Sequence, residues 1–190
     1  MKPRAEGGNM GAGPPSAADI AEGRDAEWEW IIRDAARHLY SHAAVPDPLQ
    51  RLWWIITHRY PERLLSLSDV FGPCELRERR YLGTQFVALD DIRGSERRAE
   101  DFDRLFRPMR HADRRRWLRA AILNLRGADP RPVELIRVGG VYFVRDGHYR
   151  VSVARALGQR DILAVVTEWE VACSQPLPWQ GEAPPSPNGP

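Results

Sequence analysis

The 190-residue chain is short of lysine, of cysteine and of long apolar runs. Of its 28 cations all but Lys2 are arginine, a group whose fork suits phosphate, although so uniform a preference reflects coding bias more than function. Its two cysteines, Cys74 and Cys173, make no metal-ligand or disulfide pattern, so a reducing cytoplasm is the expected location. No apolar run approaches the roughly 20 residues that a bilayer requires. The N-terminus is rich in Gly and Pro rather than basic and then apolar, so neither export nor membrane insertion is expected. No internal repeat is visible.

The formal net charge is +2, unevenly spread: residues 1–76 sum to −3, residues 77–126 to +6 and residues 127–190 to −1. The basic middle favours an anionic partner. Residues 1–16, rich in Gly, Pro, Ala and Ser, are expected to form a disordered tail. Residues 17–75 are expected to be helical. Trp28, Ile31, Ile32, Ala35 and Leu39 share one face of a helix over Asp25 to Ser41, with Tyr40 beside them. Asp47-Pro48 opens a second helix carrying Leu52, Trp53, Ile55 and Ile56, so the two make a helical hairpin. Pro61 opens a short third helix through Leu67. Tryptophans at helical spacing are core more often than a ligand box. The hairpin is either a packing cap or a protein interface, and the sequence leaves both open.

Residues 76–172 change character. Phe86 to Leu89 read as a short buried strand ending at Asp90-Asp91, and Ile92 to Arg98 as a polar loop. A short helix carries Phe102, Leu105 and Phe106 up to Pro108. Asp113 caps a further helix with Trp117, Leu118, Ala121, Ile122 and Leu125 on one side and Arg114, Arg115, Arg116 and Arg119 on the other. That arginine face is either a solvated surface or a nucleic-acid contact, the latter because clustered arginines on phosphates supply non-specific affinity. Gly139-Gly140 joins Val133–Val138 to Val141–Val144 as a hairpin.

The most informative stretch follows, Val141 to Gly158. A strand, the turn dipeptide Asp146-Gly147 and a helix come in succession, and such a helix points free N–H groups and its positive dipole end at an anion. His148 and Arg150 add charge-assisted donors. Asp161 to Thr167 then forms a strand in a parallel crossover, with Thr167, Glu168 and Trp169 at its carboxyl end. Residues 173–190 are expected to be a Pro-rich disordered tail. Each polar residue also has a plainer role: Asp146 in the turn, Arg150 paired with a neighbouring carboxylate, His148 as a satisfied structural histidine, Glu96 as an exposed loop residue.

The span Phe86 to Trp169 resembles the ParB/sulfiredoxin family through the Gly-Gly hairpin, the Asp146 to Arg150 turn and, over Val87 to Ile92, the opening strand and the loop that follows it. The resemblance implies an α+β fold, a ParB/sulfiredoxin-like domain with a small mixed sheet, here preceded by a helical hairpin. His148 stands where sulfiredoxins carry a catalytic cysteine, which argues against sulfinic-acid reduction. The partition proteins carry Gly-Glu-Arg-Arg, of which only Gly147 and Arg150 match. The Asp-Gly-His-His-Arg form of stand-alone members, among them free-serine kinases, is matched by Asp146, Gly147, His148 and Arg150, with Tyr149 replacing the second histidine.

The implied function is nucleotide-phosphate binding with phosphotransfer or hydrolysis. Gly147, His148, Tyr149 and Arg150 would hold the phosphates of ATP, ADP or CTP. Asp146 would hold Mg²⁺, and Glu96 would act as base on a small hydroxyl-bearing substrate in a pocket with Thr167 and Trp169. The alternative is a non-catalytic ParB-like regulator that binds nucleic acid or a nucleotide. Oligomeric state is not legible.

Overall fold

The computed structural model describes residues 17–43, 64–72, 74–109, 113–128, 131–177 and 179, with side chains from Glu27 onward. They form an α+β structure with four helices and a mixed six-stranded sheet. In chain order the elements are α1 (Ala17–Ala43), β1 (Leu65–Ser66), α2 (Leu67–Phe71), β2 (Cys74–Ala88), β3 (Ile92–Ser95), α3 (Arg114–Leu125), β4 (Val133–Val138), β5 (Val141–Asp146), α4 (His148–Ala156) and β6 (Asp161–Cys173). The sheet order is β1-β3-β5-β4-β6-β2.

The β4–β5 hairpin forms as expected, with Gly139 (φ 53°) and Gly140 (φ 88°) supplying the two positive φ values of its tight turn. The expected parallel crossover from β5 to β6 does not form. β3 and β4 take both edges of β5, so β6 adds to the free edge of β4 and runs parallel to β4, hence antiparallel to β5. The nine-residue α4, about 13 Å long at 1.5 Å per residue, links the end of β5 to the start of β6 at the same end of the sheet, beside the start of β4.

Strict alternation along the central strands divides the core in two. Val133, Leu135, Val144, Ala164 and Val166 face α4, whereas Ile136, Val138, Val141, Phe143 and Trp169 face α2 on the other side. Outside the first face, Ala36 and Tyr40 of α1 meet Trp117 and Ala121 of α3 and Val153 of α4. The Tyr40 and Trp117 rings meet edge-on at 5.3 Å, and Trp117 Nε1 donates to Ser152 Oγ at 2.8 Å.

Several local expectations are corrected. The buried face of α1 is Ile32, Ala36 and Tyr40, and Trp28 and Ile31 are exposed. The helix expected through Leu67 gives way to β1, which pairs in parallel with β3, and a helix begins only at Leu67. The second helix of the expected hairpin and both extreme tails lie outside the described residues. Phe86, expected in a buried strand, is 74% exposed, on the long edge strand β2. Ile92 to Ser95 is not a loop but the parallel strand β3, beside β5. Phe102 to Phe106 is not helical. The Asp103 carboxylate captures the N–H groups of Leu105 and Arg107 at 3.0 and 2.8 Å, which outcompetes helical bonds, and a Phe102–Pro108 bridge closes the loop.

β6 extends past Thr167 to Cys173, and Leu177 beyond it is buried, so the C-terminal tail does not begin at residue 173. Cys74 and Cys173 face each other across β2 and β6 and form a disulfide. This corrects the expectation of unpaired cysteines and removes that ground for placing the chain in a reducing compartment. No helix among the described residues is long and apolar enough to cross a membrane.

Candidate functional site

β3 and β5 run in parallel and end side by side, so the chain turns away from both at their carboxyl ends, as it does at ligand crevices in α/β proteins. Glu96 N–H donates to Val144 O at 2.9 Å and ties the loop after β3 to β5. β5 ends at Asp146, Gly147 takes φ 96°, and α4 begins at His148. A Cβ on Gly147 would lie 2.6 Å from Val133 Cγ1 and 3.0 Å from Arg150 Nη2, so the position needs glycine for both conformation and space. The first helical bond is Val151 N–H to Gly147 O at 3.0 Å. The amides of the first turn are thereby left without intrahelical acceptors.

His148 is 5% exposed and points inward. Ser95 Oγ accepts the Arg98 N–H at 2.8 Å and, more weakly, the Arg97 N–H at 3.3 Å. With its lone pairs so engaged, the hydroxyl donates its proton to His148 Nε2, 2.7 Å away. The imidazole is therefore neutral, with its proton on Nδ1. Burial and the nearby Arg98 cation push its pKa down to about 4, and Phe102 stacks on the ring at 5.8 Å. This corrects the expectation of a cationic phosphate donor: His148 is a neutral hydrogen-bonding group held from inside.

Tyr149 is turned toward the protein as well. Its hydroxyl donates to Asp113 Oδ1 at 2.5 Å and accepts from Arg98 Nη2 at 2.8 Å. Burial, followed by the Asp113 bond, pushes its pKa up. Asp113 makes no side-chain cap on α3, so its expected role passes to this network. Arg98 Nε also donates to Asp101 at 2.7 Å. Arg150 clamps the turn: Nη2 donates to Asp146 Oδ2 at 2.9 Å, and Nη1 donates to the carbonyls of Arg131 and Pro132. The plainer role expected for it, pairing with a neighbouring carboxylate, is the one observed. Ser95, Arg98, Phe102 and Asp113 are the members that sequence reasoning missed.

The remaining expected residues are not gathered here. Ser95 faces α4, but Glu96 turns to the other side of the sheet, where both its oxygens accept from Arg145 at 3.3 Å. Arg145 lies 5.6 Å and Arg79 4.5 Å from the Trp169 ring centroid, and Phe71 meets that ring edge-on. Trp169 belongs to the second core, and Thr167 shares its strand face, so neither forms a pocket with the Gly147 turn. The expected juxtaposition fails because alternation sends neighbouring residues to opposite faces.

Asp146 is exposed, at 71% of its side chain, with one oxygen on Arg150. No group of three potential metal ligands occurs among the described residues. One carboxylate already shared with Arg150 does not fit a resident Mg²⁺. What the turn offers chemically is a rigid set of backbone donors at a positive helix end. No family model matches the chain, and it matches no curated protein and no solved structure.

Proposed function

We propose that the chain is a ParB/sulfiredoxin-like protein that binds a nucleotide through its phosphates at the Gly147 turn. The observation that carries this reading is the left-handed Gly147 between the parallel ends of β3 and β5 and the start of α4, where a Cβ would meet Val133. Backbone amides bind the phosphate oxygens and the helix dipole adds favourable field. The side chains of His148, Tyr149 and Arg150 act as struts that fix those amides. Any Mg²⁺ is held chiefly by the nucleotide's own oxygens. Phosphoryl transfer to a small hydroxyl compound requires Glu96 to leave Arg145, so binding is the core of the proposal and transfer its extension.

A thermal-shift series with ATP, ADP, CTP and GTP, with and without Mg²⁺, tests it, because a ligand of the native state raises apparent stability. One nucleotide is expected to raise the melting temperature of the wild type and not of Gly147→Ala, whose own melting is measured first. No shift with any of the four overturns the reading. A second reading, nucleic-acid binding, is favoured by α3, where Arg114, Arg115, Arg116 and Arg119 are all exposed on a helix with no acidic residue. Affinity for duplex DNA that falls steeply with salt supports it, and no binding at low salt removes it.

A further inference from the structure

We infer that the cavity between the C-terminal end of α1, the turn after β2 and the second half of α4 is a separate ligand site, shaped for a small monocarboxylate with an apolar body. The observation behind it is Arg155. Its Nη2 donates to the carbonyls of Leu89 and Ile92, at 2.5 and 3.0 Å, and its guanidinium lies 5.3 Å from the Phe106 ring centroid. Its Nε is buried with no acceptor, and it forms no ion pair with any described residue. Neutral carbonyls compensate a half-buried cation only in part, and burial accordingly pushes the Arg155 pKa down.

The carboxylates that Arg155 feels are Asp90 and Asp103. Asp103 is already taken by Arg107, whose Nε donates to it at 2.6 Å, and by two backbone amides. Asp90 is exposed at the cavity rim. The cation therefore lacks a counter-ion and borders a space of about 350 Å³. That is the lower end of the roughly 300–1,000 Å³ typical of small-molecule sites, which pair apolar walls with a few convergent polar groups.

The walls state the ligand. Leu89, Leu105 and Ala156 give an apolar lining, and Ser152 and Gln159 give polar groups beside Arg155. Ser152 Oγ already accepts the Trp117 N–H, so its own proton is available to a carboxylate oxygen. His42 and Arg107 also line the cavity; Arg107 is already neutralised by Asp103, so the exposed Asp90 at the mouth repels a second negative charge, which disfavours phosphate and dicarboxylates. The cavity lies toward the opposite end of α4 from Gly147, so it stands independently of nucleotide binding at that turn.

Calorimetric titration of the full chain with isovalerate, acetate, succinate and inorganic phosphate tests the site, on wild type, Arg155→Gln and Ala156→Phe. Isovalerate is expected to bind the wild type, acetate about tenfold more weakly for want of apolar area, and succinate and phosphate more weakly still. Arg155→Gln abolishes binding, and Ala156→Phe, which fills the cavity but keeps the cation, weakens it by about tenfold or more. If Arg155→Gln does not fold, Ala156→Phe decides. Absence of isovalerate binding to the wild type, equal or tighter binding of phosphate, or unchanged affinity in Ala156→Phe overturns the site.

Discussion

The two faces of the sheet where β3 ends, at Ser95 and Glu96, are built on different chemistry. Toward α4, Ser95 Oγ holds the neutral His148 imidazole and the Arg98 N–H, and the Tyr149 hydroxyl bridges the Arg98 guanidinium to Asp113 in a largely buried hydrogen-bond network. Toward α2, Glu96, Arg145 and Arg79 form ion pairs and cation–ring contacts around Trp169, with Arg145 and Arg79 partly in water. Buried hydrogen bonds are costly to leave unmade, whereas partly exposed ion pairs contribute little. The α4 side is thus the rigid one, suited to presenting fixed donors. The α2 side holds its charges loosely enough to rearrange.

The largest effect expected on this contrast comes from Phe102, which is fully buried and packs on both His148 and Tyr149. Phe102→Ala is expected to cost about 3–5 kcal/mol in urea unfolding. A loss below about 1 kcal/mol would mean that the α4 side is not the rigid one.

Next is pH. The folded His148 has its pKa lowered from 6.5 to about 4, so between those values the unfolded chain binds a proton that the folded chain excludes. Its contribution is fully present above pH 6.5 and is lost as pH falls toward 4. The whole contribution is about 3 kcal/mol, since the free energy of holding the imidazole neutral grows by about 1.4 kcal/mol for every pH unit across that window. Urea midpoints over the same range, compared with His148→Gln, isolate it. An unchanged slope in the variant would show that His148 is not held neutral.

The same contrast explains what was legible from the sequence. The β4–β5 hairpin and the Asp146-Gly147 turn are local, carried by glycines whose φ values the fold requires, and they stand as expected. β3 was not legible because it has four residues, of which one is Gly94. That glycine is present not for a turn but because a Cβ would lie 2.3 Å from the Phe143 ring, a constraint visible only once β5 lies alongside. Without β3, Glu96 reads as a loop residue free to reach the Gly147 turn and Ser95 carries no signal, when alternation sends Ser95 toward α4 and Glu96 to the opposite face. The disulfide was hidden for the same reason, since register between strands 99 residues apart aligns its cysteines.

A smaller effect comes from Ser95→Ala, which removes the partner of His148 Nε2 and the acceptor of the Arg98 N–H. It is expected to cost about 1–3 kcal/mol, the penalty of buried groups left unpaired. Ser95→Thr, which keeps the hydroxyl, is expected to recover part of this in the same urea series. Equal losses for both would assign the effect to packing and not to the hydrogen bonds.

The smallest expected change is at Glu96, and it separates the two sides most sharply. Glu96→Gln keeps the shape but removes the charge that holds Arg145. If the α2 side is adaptable, Arg145 remains over Trp169 and the loss is about 1 kcal/mol or less, in the range of partly exposed ion pairs. Nucleotide-induced shifts, which depend on the α4 side, should be unchanged. Should nucleotide turnover be found, a base that must act in the transition state would lower its rate by roughly 10²–10⁴ in the variant. Unchanged turnover would confine Glu96 to holding Arg145. A stability loss above about 2 kcal/mol, well beyond what such a pair contributes, would instead make the α2 side as rigid as the other and end the distinction between them.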